Sequence, residues 1–127
     1  MTKKKEIVST KLAAEAIGPY NQAIKYGDLV FTSGQIPLTP EGHIVSDNIE
    51  DQAKKVLENL KHVLEAGGSS MENVIKTTIF LADMNDFPVV NEIYDEAFGG
   101  NFPARSTVQV ARLPKDVLIE IEAIAHI

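Results

Sequence analysis

Residues 48–81 read NIEDQAKKVLENLKHVLEAGGSSMENVIKTTIFL, and their periodicity decides the fold class. Ala53, Val56, Leu57, Leu60, Val63 and Leu64 recur at the i, i+3, i+4, i+7 spacing of an amphipathic helix, with Lys54, Glu58, Lys61 and Glu65 on the other side. The helix is expected from Ile49 to Ala66. Asn48 supplies an N-cap, Glu50 and Asp51 suit the positive end of the helix dipole, and Gly67 with Gly68 provides a left-handed stop. The pattern then changes: Val74 to Leu81 is rich in β-branched residues with few charges on either face, as expected of a strand inside a sheet.

Reading outward from this helix and strand gives the remaining elements. Upstream, Ala23–Tyr26 and Leu29–Thr32 flank Gly27-Asp28 as a β-hairpin, and a short strand is expected around Glu6 to Ser9. Downstream, a second helix starts at Asp86, carries Pro88 in its first turn, groups Phe87, Val90, Ile93, Tyr94 and Ala97 on one side and stops at Gly99-Gly100. Two strands follow, Arg105–Ala111 and Val117–Ile127, read as hairpin partners joined through Leu113 to Asp116. The order ββ, α, β, α, ββ predicts one α+β domain over residues 1–127, a ferredoxin-like or chorismate-mutase-like sandwich with two helices on one face of a mixed sheet. Alternation puts Val117, Ile119, Ile121, Ala123 and Ala125 against the helices and turns Glu120 away. The far face is expected to carry Arg105, Thr107 and Glu120 together with Leu118 and Ile124, and its apolar residues predict a homo-oligomer that covers it.

Composition narrows the chemistry. The chain has 127 residues, long enough for folding to bury about two-thirds of its surface without a staple, and it has no cysteine, which removes disulfides, thiol nucleophiles and thiolate metal sites. A formal charge of −6, with Arg105 and Arg112 the only arginines, argues against a nucleic-acid groove. No run approaches the roughly 20 apolar residues of a membrane span and the start lacks a secretory apolar run, so a cytoplasmic location is expected. His43, His62 and His126 form no metal-spaced motif, and no glycine-rich phosphate cradle is present, so neither metal nor cofactor is expected.

Two residues stand out for chemistry. Arg105 enters a strand after Phe102-Pro103-Ala104, and a guanidinium there suits either a planar carboxylate ligand or a structural salt bridge to Glu120 or Glu122. Glu120 interrupts the apolar run Val117–Ile124, so it is either a carboxylate with a raised pKa fit for general acid or base work or a solvent-facing strand residue. Gly18-Pro19-Tyr20 is either a plain packed turn or a rigid one that presents an aromatic hydroxyl to a ligand, and Ser33-Gly34 is either a plain turn or a strand end where backbone amides meet a ligand.

Five fragments in order resemble the Rid proteins, the reactive intermediate deaminases or 2-iminobutanoate/2-iminopropanoate deaminases. They are Ala16–Tyr20, Thr32–Leu38, Asn85–Phe87 with Val90–Tyr94, Pro103–Pro114, and Ile119–Glu122. The resemblance implies a chorismate-mutase-like homotrimer with ligand clefts between subunits. It implies that Arg105 binds a substrate carboxylate, that Glu120 works on the hydrolytic water, and that Tyr20, Ser33, Gly34 and Thr107 line the cleft. Many members carry cysteine where this chain has Thr107, so a thiol is not required here. The implied activity is cofactor-free hydrolysis of small 2-imino acids to 2-keto acids and ammonia. A non-enzymatic metabolite sensor or chaperone-like oligomer using the same carboxylate cleft is the alternative, and the acidic balance counsels against the nucleic-acid roles associated with the family.

Overall fold

The computed structural model describes residues 3–127. Its strands are β1 (Lys5–Val8), β2 (Ala23–Tyr26), β3 (Leu29–Thr32), β4 (Val74–Leu81), β5 (Ala104–Gln109) and β6 (Ile119–His126), and its helices are α1 (Ile49–Ala66) and α2 (Phe87–Phe98). They form an α+β fold with one mixed sheet, ordered β1-β2-β3-β6-β4-β5, whose two helices pack on one face. Among the described residues no helix is long and apolar enough to cross a membrane.

Helix α1 occupies the expected span. The Asn48 side chain accepts from the Asp51 amide at 2.8 Å, and the helix ends where Gly68 turns left-handed at φ 84°. Gly67 is required for another reason: a Cβ there would stand 3.2 Å from both methyls of Val30, so its absence lets the helix end lie directly on β3. Val56, Leu60, Val63 and Leu64 are fully buried against Val30, Ile119, Ile121 and Ala125. In α2 Val90 and Tyr94 are buried and Phe87 and Ile93 pack partly buried against the core, as expected, but Phe98 rather than the exposed Ala97 completes the apolar side.

β4 lies inside the sheet, antiparallel to β6 and parallel to β5. This corrects the expected pairing of the last two strands. β5 and β6 are not a hairpin; β4 separates them and β5 is the sheet edge. A parallel partner for β4 can be supplied only by a crossover, and α2 is that crossover.

A second correction concerns the faces. Register places Arg105 beside Thr77 and Thr107 beside Ile79, so both point to the helix side with the buried residues Thr77 and Ile79. Glu120 pairs with Phe80 on the opposite, open face. That face also carries Ile24, Phe31 and Ile124, of which Phe31 is 40 % exposed.

Candidate functional site

Arg105 is the second residue of the edge strand β5 and lies under α2, with its guanidinium carbon 4.9 Å from the centre of the Tyr94 ring and 5.3 Å from that of Phe87. Both distances fall within cation–π range. Ion pairs among the described residues join Lys25 to Glu6, Lys55 and His62 to Glu58, and Arg112 to Asp116; Arg105 takes part in none. The structural salt bridge considered for it is therefore not formed, while the other arginine is neutralised by two hydrogen bonds, 2.6 and 3.1 Å, to its aspartate. Asn91, Tyr94, Asp95, Phe102, Pro103 and Arg105 line a cleft of about 460 Å³. A guanidinium resting on aromatic faces, with its N–H edge unspent beside a cleft, is arranged to receive a planar two-oxygen anion.

Thr107 follows on the same face. Its Oγ1 is buried and has no hydrogen-bond partner among the described residues, a vacancy for a donor or acceptor next to Arg105.

Glu120 belongs to a different neighbourhood. Between the pairs Phe31↔Ile124 and Gln35↔Ile121, three residues (Thr32, Ser33, Gly34) face two (Glu122, Ala123), so one strand carries an extra residue. This bulge re-aims the chain. The Thr32 hydroxyl accepts from the Ala123 amide at 3.0 Å, the Ser33 hydroxyl donates to the Asn21 carbonyl at 2.5 Å, and Gln35 and Ile121 exchange backbone bonds of 2.8 and 3.1 Å. Gly34 lies against the Glu120 side chain: a Cβ there would stand 2.9 Å from Cγ, 2.6 Å from Cδ, and closer still to Oε2. Half-burial pushes the Glu120 carboxyl above its ordinary pKa, and the Glu122 charge adds to the rise. Tyr20 and Gly34 share a small cavity of about 40 Å³ with Gln22, Gln35 and Leu38. Tyr20 itself is 52 % exposed.

The six candidate residues thus fall into two groups in one chain, Arg105 with Thr107 on the helix side and Glu120 with Gly34, Ser33 and Tyr20 in a separate neighbourhood. Two inter-strand spacings and a three-residue offset put the Cα atoms of Arg105 and Glu120 roughly 14 Å apart, on opposite faces. No ligand of a few carbons can touch both within a single chain. The residues that the sequence reading missed are Thr77, Tyr94 and Phe87, which surround Arg105. Phe87 and Tyr94 stand two helical turns apart on α2, a spacing visible in the sequence, but only the β4–β5 register brings them to Arg105.

The family model described as Endoribonuclease L-PSP matches residues 10–127. A RutC family protein of Pyrococcus horikoshii is 57% identical over 123 residues, 96% of this chain and 98% of that protein. A protein of Salmonella typhimurium named 2-iminobutanoate/2-iminopropanoate deaminase is 50% identical over 121 residues, 93% of this chain and 94% of its own. Among solved structures, that of Escherichia coli TdcF with bound serine superposes with a TM-score of 0.91 at 49% identity, covering 96% of this chain and 98% of that one. Identity near one half over almost the full length of both chains, on a common fold, places this chain in the Rid family.

Proposed function

We propose that the protein hydrolyses small 2-imino acids to 2-keto acids and ammonia, in a cleft that two copies complete. The observation that carries this reading is Arg105, half-buried over two aromatic rings and facing a cleft, with no ion pair to a carboxylate among the described residues. The relatives named deaminases support it.

Arg105 holds the substrate carboxylate by paired hydrogen bonds and so fixes the neighbouring C=N carbon. A water beside Glu120 of the adjoining copy attacks that carbon of the N-protonated imine: a C–O bond forms, the C=N π pair moves onto nitrogen, and the water's proton passes to the carboxylate, which gives a neutral carbinolamine. Glu120 then delivers this proton to the nitrogen and takes up the hydroxyl proton as the C–N bond breaks, so that the keto acid and ammonia leave and the proton remaining on Glu120 departs with ammonia as ammonium. Burial, and after it the Glu122 charge, raise its pKa above the ordinary carboxylate value, the direction that favours a group which both accepts and returns a proton. Because the imine carbon is already electrophilic, carboxylate anchoring and one proton carrier suffice, and the homotrimer implied by the family resemblance supplies the second half-site.

The test is a coupled assay in which threonine dehydratase generates 2-iminobutanoate and semicarbazide traps what escapes hydrolysis. Arg105→Ala is expected to lower kcat/KM about thirtyfold, a loss of ~2 kcal/mol. Wild-type protection of the trap by that variant overturns the reading.

A second reading has its own support, since a relative holds serine. In a metabolite sensor Glu120→Gln leaves ligand affinity intact and there is no turnover to lose; in the deaminase it removes turnover. An RNA-directed activity, which the family description suggests, has less support: the formal charge is −6, one arginine is neutralised by Asp116 and the other lies over aromatic rings.

A further inference from the structure

We propose that Thr77, Tyr94 and Phe87 are positioning residues that fix the plane of the Arg105 guanidinium, so that carboxylate affinity depends on a buried hydrogen bond the ligand never touches. The inference rests on the carboxylate-binding reading of Arg105 and extends it to residues behind the site.

The geometry closes on itself. Thr77 is the β4 residue registered beside Arg105, and its hydroxyl lies 2.6 Å from the Tyr94 hydroxyl. Tyr94 in turn carries the Arg105 guanidinium on its ring. One strand position therefore sets both the backbone of Arg105 and the tilt of the ring its side chain rests on. Thr77 is wholly buried and Tyr94 is 4 % exposed, so this bond is shielded from water and has no competing partner. The Tyr94 ring also meets Phe98, with centroids 4.6 Å apart and the planes tilted by 40°, a contact that restrains its swing. Phe87, two turns earlier on α2, adds a second ring at 5.3 Å.

A buried hydroxyl pair is not needed for packing here, since valine and phenylalanine fill nearly the same volume without it. What the pair adds is orientation. Burial raises the pKa of the Tyr94 phenol, while the Thr77 bond and the Arg105 charge pull it down, and the group stays protonated and able to bond to Thr77. Arg105 is long and rotamer-rich, and without the rings it would lose that freedom only on binding, at the expense of affinity. With its face on aromatic carbon, only its N–H edge remains to meet a ligand in the cleft.

The experiment titrates 2-oxobutanoate, a keto acid of the proposed product class, into wild type, Thr77→Val, Thr77→Ser, Tyr94→Phe, Phe87→Leu and Arg105→Ala, and measures KM and kcat for each. Thr77→Val and Tyr94→Phe are each expected to weaken binding and raise KM roughly threefold, with kcat within about a factor of two, and the double variant to be no weaker than either single one. Phe87→Leu is expected to cost about fivefold. Thr77→Ser keeps the hydroxyl and is expected to restore wild-type affinity, which a packing role for the threonine methyl would not produce. Tyr94→Phe removes one oxygen and no ring, so it carries the test even if Thr77→Val folds poorly. Wild-type affinity in both Thr77→Val and Tyr94→Phe, or no recovery in Thr77→Ser, overturns the positioning role while Arg105 remains the anchor. Wild-type affinity in Arg105→Ala overturns the carboxylate reading itself.

Discussion

Gly34 and Glu120 occupy one space, and the glycine is there because the carboxylate is. In Gly34→Ala the new methyl meets the Glu120 carboxyl, which must swing out of its half-buried place since the bulge backbone is pinned by Ser33 and Gln35. We expect a stability loss of about 1 kcal/mol and a loss of turnover of at least tenfold. Turnover equal to wild type in the same assay would show that Glu120 has no fixed working position. The charge of Glu120 gives a prediction of opposite sign for stability. Its pKa is higher in the folded chain than in the unfolded one, so the folded state binds that proton more tightly, and ionisation at neutral pH disfavours folding. Glu120→Gln is therefore expected to melt above wild type at neutral pH while losing turnover. That advantage should shrink as pH falls through the raised pKa and vanish below about pH 4, where the carboxyl is protonated in both states. Thermal melts across this range decide it, and an advantage that grows on acidification would contradict the assignment.

At the scale of elements, α1 holds the strand end that carries Gly34. Asn59 is fully buried on this helix and donates through its Nδ2 to the carbonyls of Ile36 at 3.1 Å and Leu38 at 2.9 Å. These bonds tie down the segment that leaves the bulge. Asn59→Ala leaves the Leu38 carbonyl without a donor, takes one of two donors from the Ile36 carbonyl, which keeps the Leu38 amide at 2.8 Å, and opens a void, so it should cost about 3 kcal/mol, read as a lower urea midpoint at unchanged slope. A midpoint equal to wild type would mean that the segment is held by Gln35 and Ile121 alone. The span of α1 was legible in the sequence because a 3.6-residue stripe, an N-cap and a glycine stop all agree there. Asn59 was not, because a polar residue inside an apolar stripe reads as a flaw until its carbonyl partners, more than twenty residues upstream, are seen.

For the whole molecule, the placement of Arg105 and Glu120 on opposite faces, together with the shared cleft proposed above, makes a direct prediction about assembly. Mixing Arg105→Ala with Glu120→Gln protein, followed by subunit exchange, is expected to restore about a quarter of wild-type activity at equal ratio. One in four interfaces then pairs an intact arginine with an intact glutamate from another copy. Neither variant alone should recover on the same treatment. Failure of the mixture to gain activity, once exchange is verified by mass spectrometry, removes the shared cleft. The open sheet face suits such an assembly. Ile24, Phe31 and Ile124 lie on it together, an apolar strip across three neighbouring strands.

The sequence by itself determined the elements and nominated the candidate site residues. Helical and strand periodicities are local, so α1, the β2–β3 hairpin, the central strand β4 and the inward face of β6 follow from the order of residues alone. Glu120 could be singled out because a charge that interrupts an apolar strand is rare, and Arg105 because it is one of two arginines and enters a strand after Phe102-Pro103-Ala104. Only the tertiary structure decided which strand neighbours which and which face each residue uses. Strand order is set by long-range pairing, and a one-position change in alternation moves a side chain to the other side of the sheet. By interposing β4, the fold placed Arg105 under α2 and Glu120 on the open face, and so divided between two surfaces the residues that the sequence had put on one.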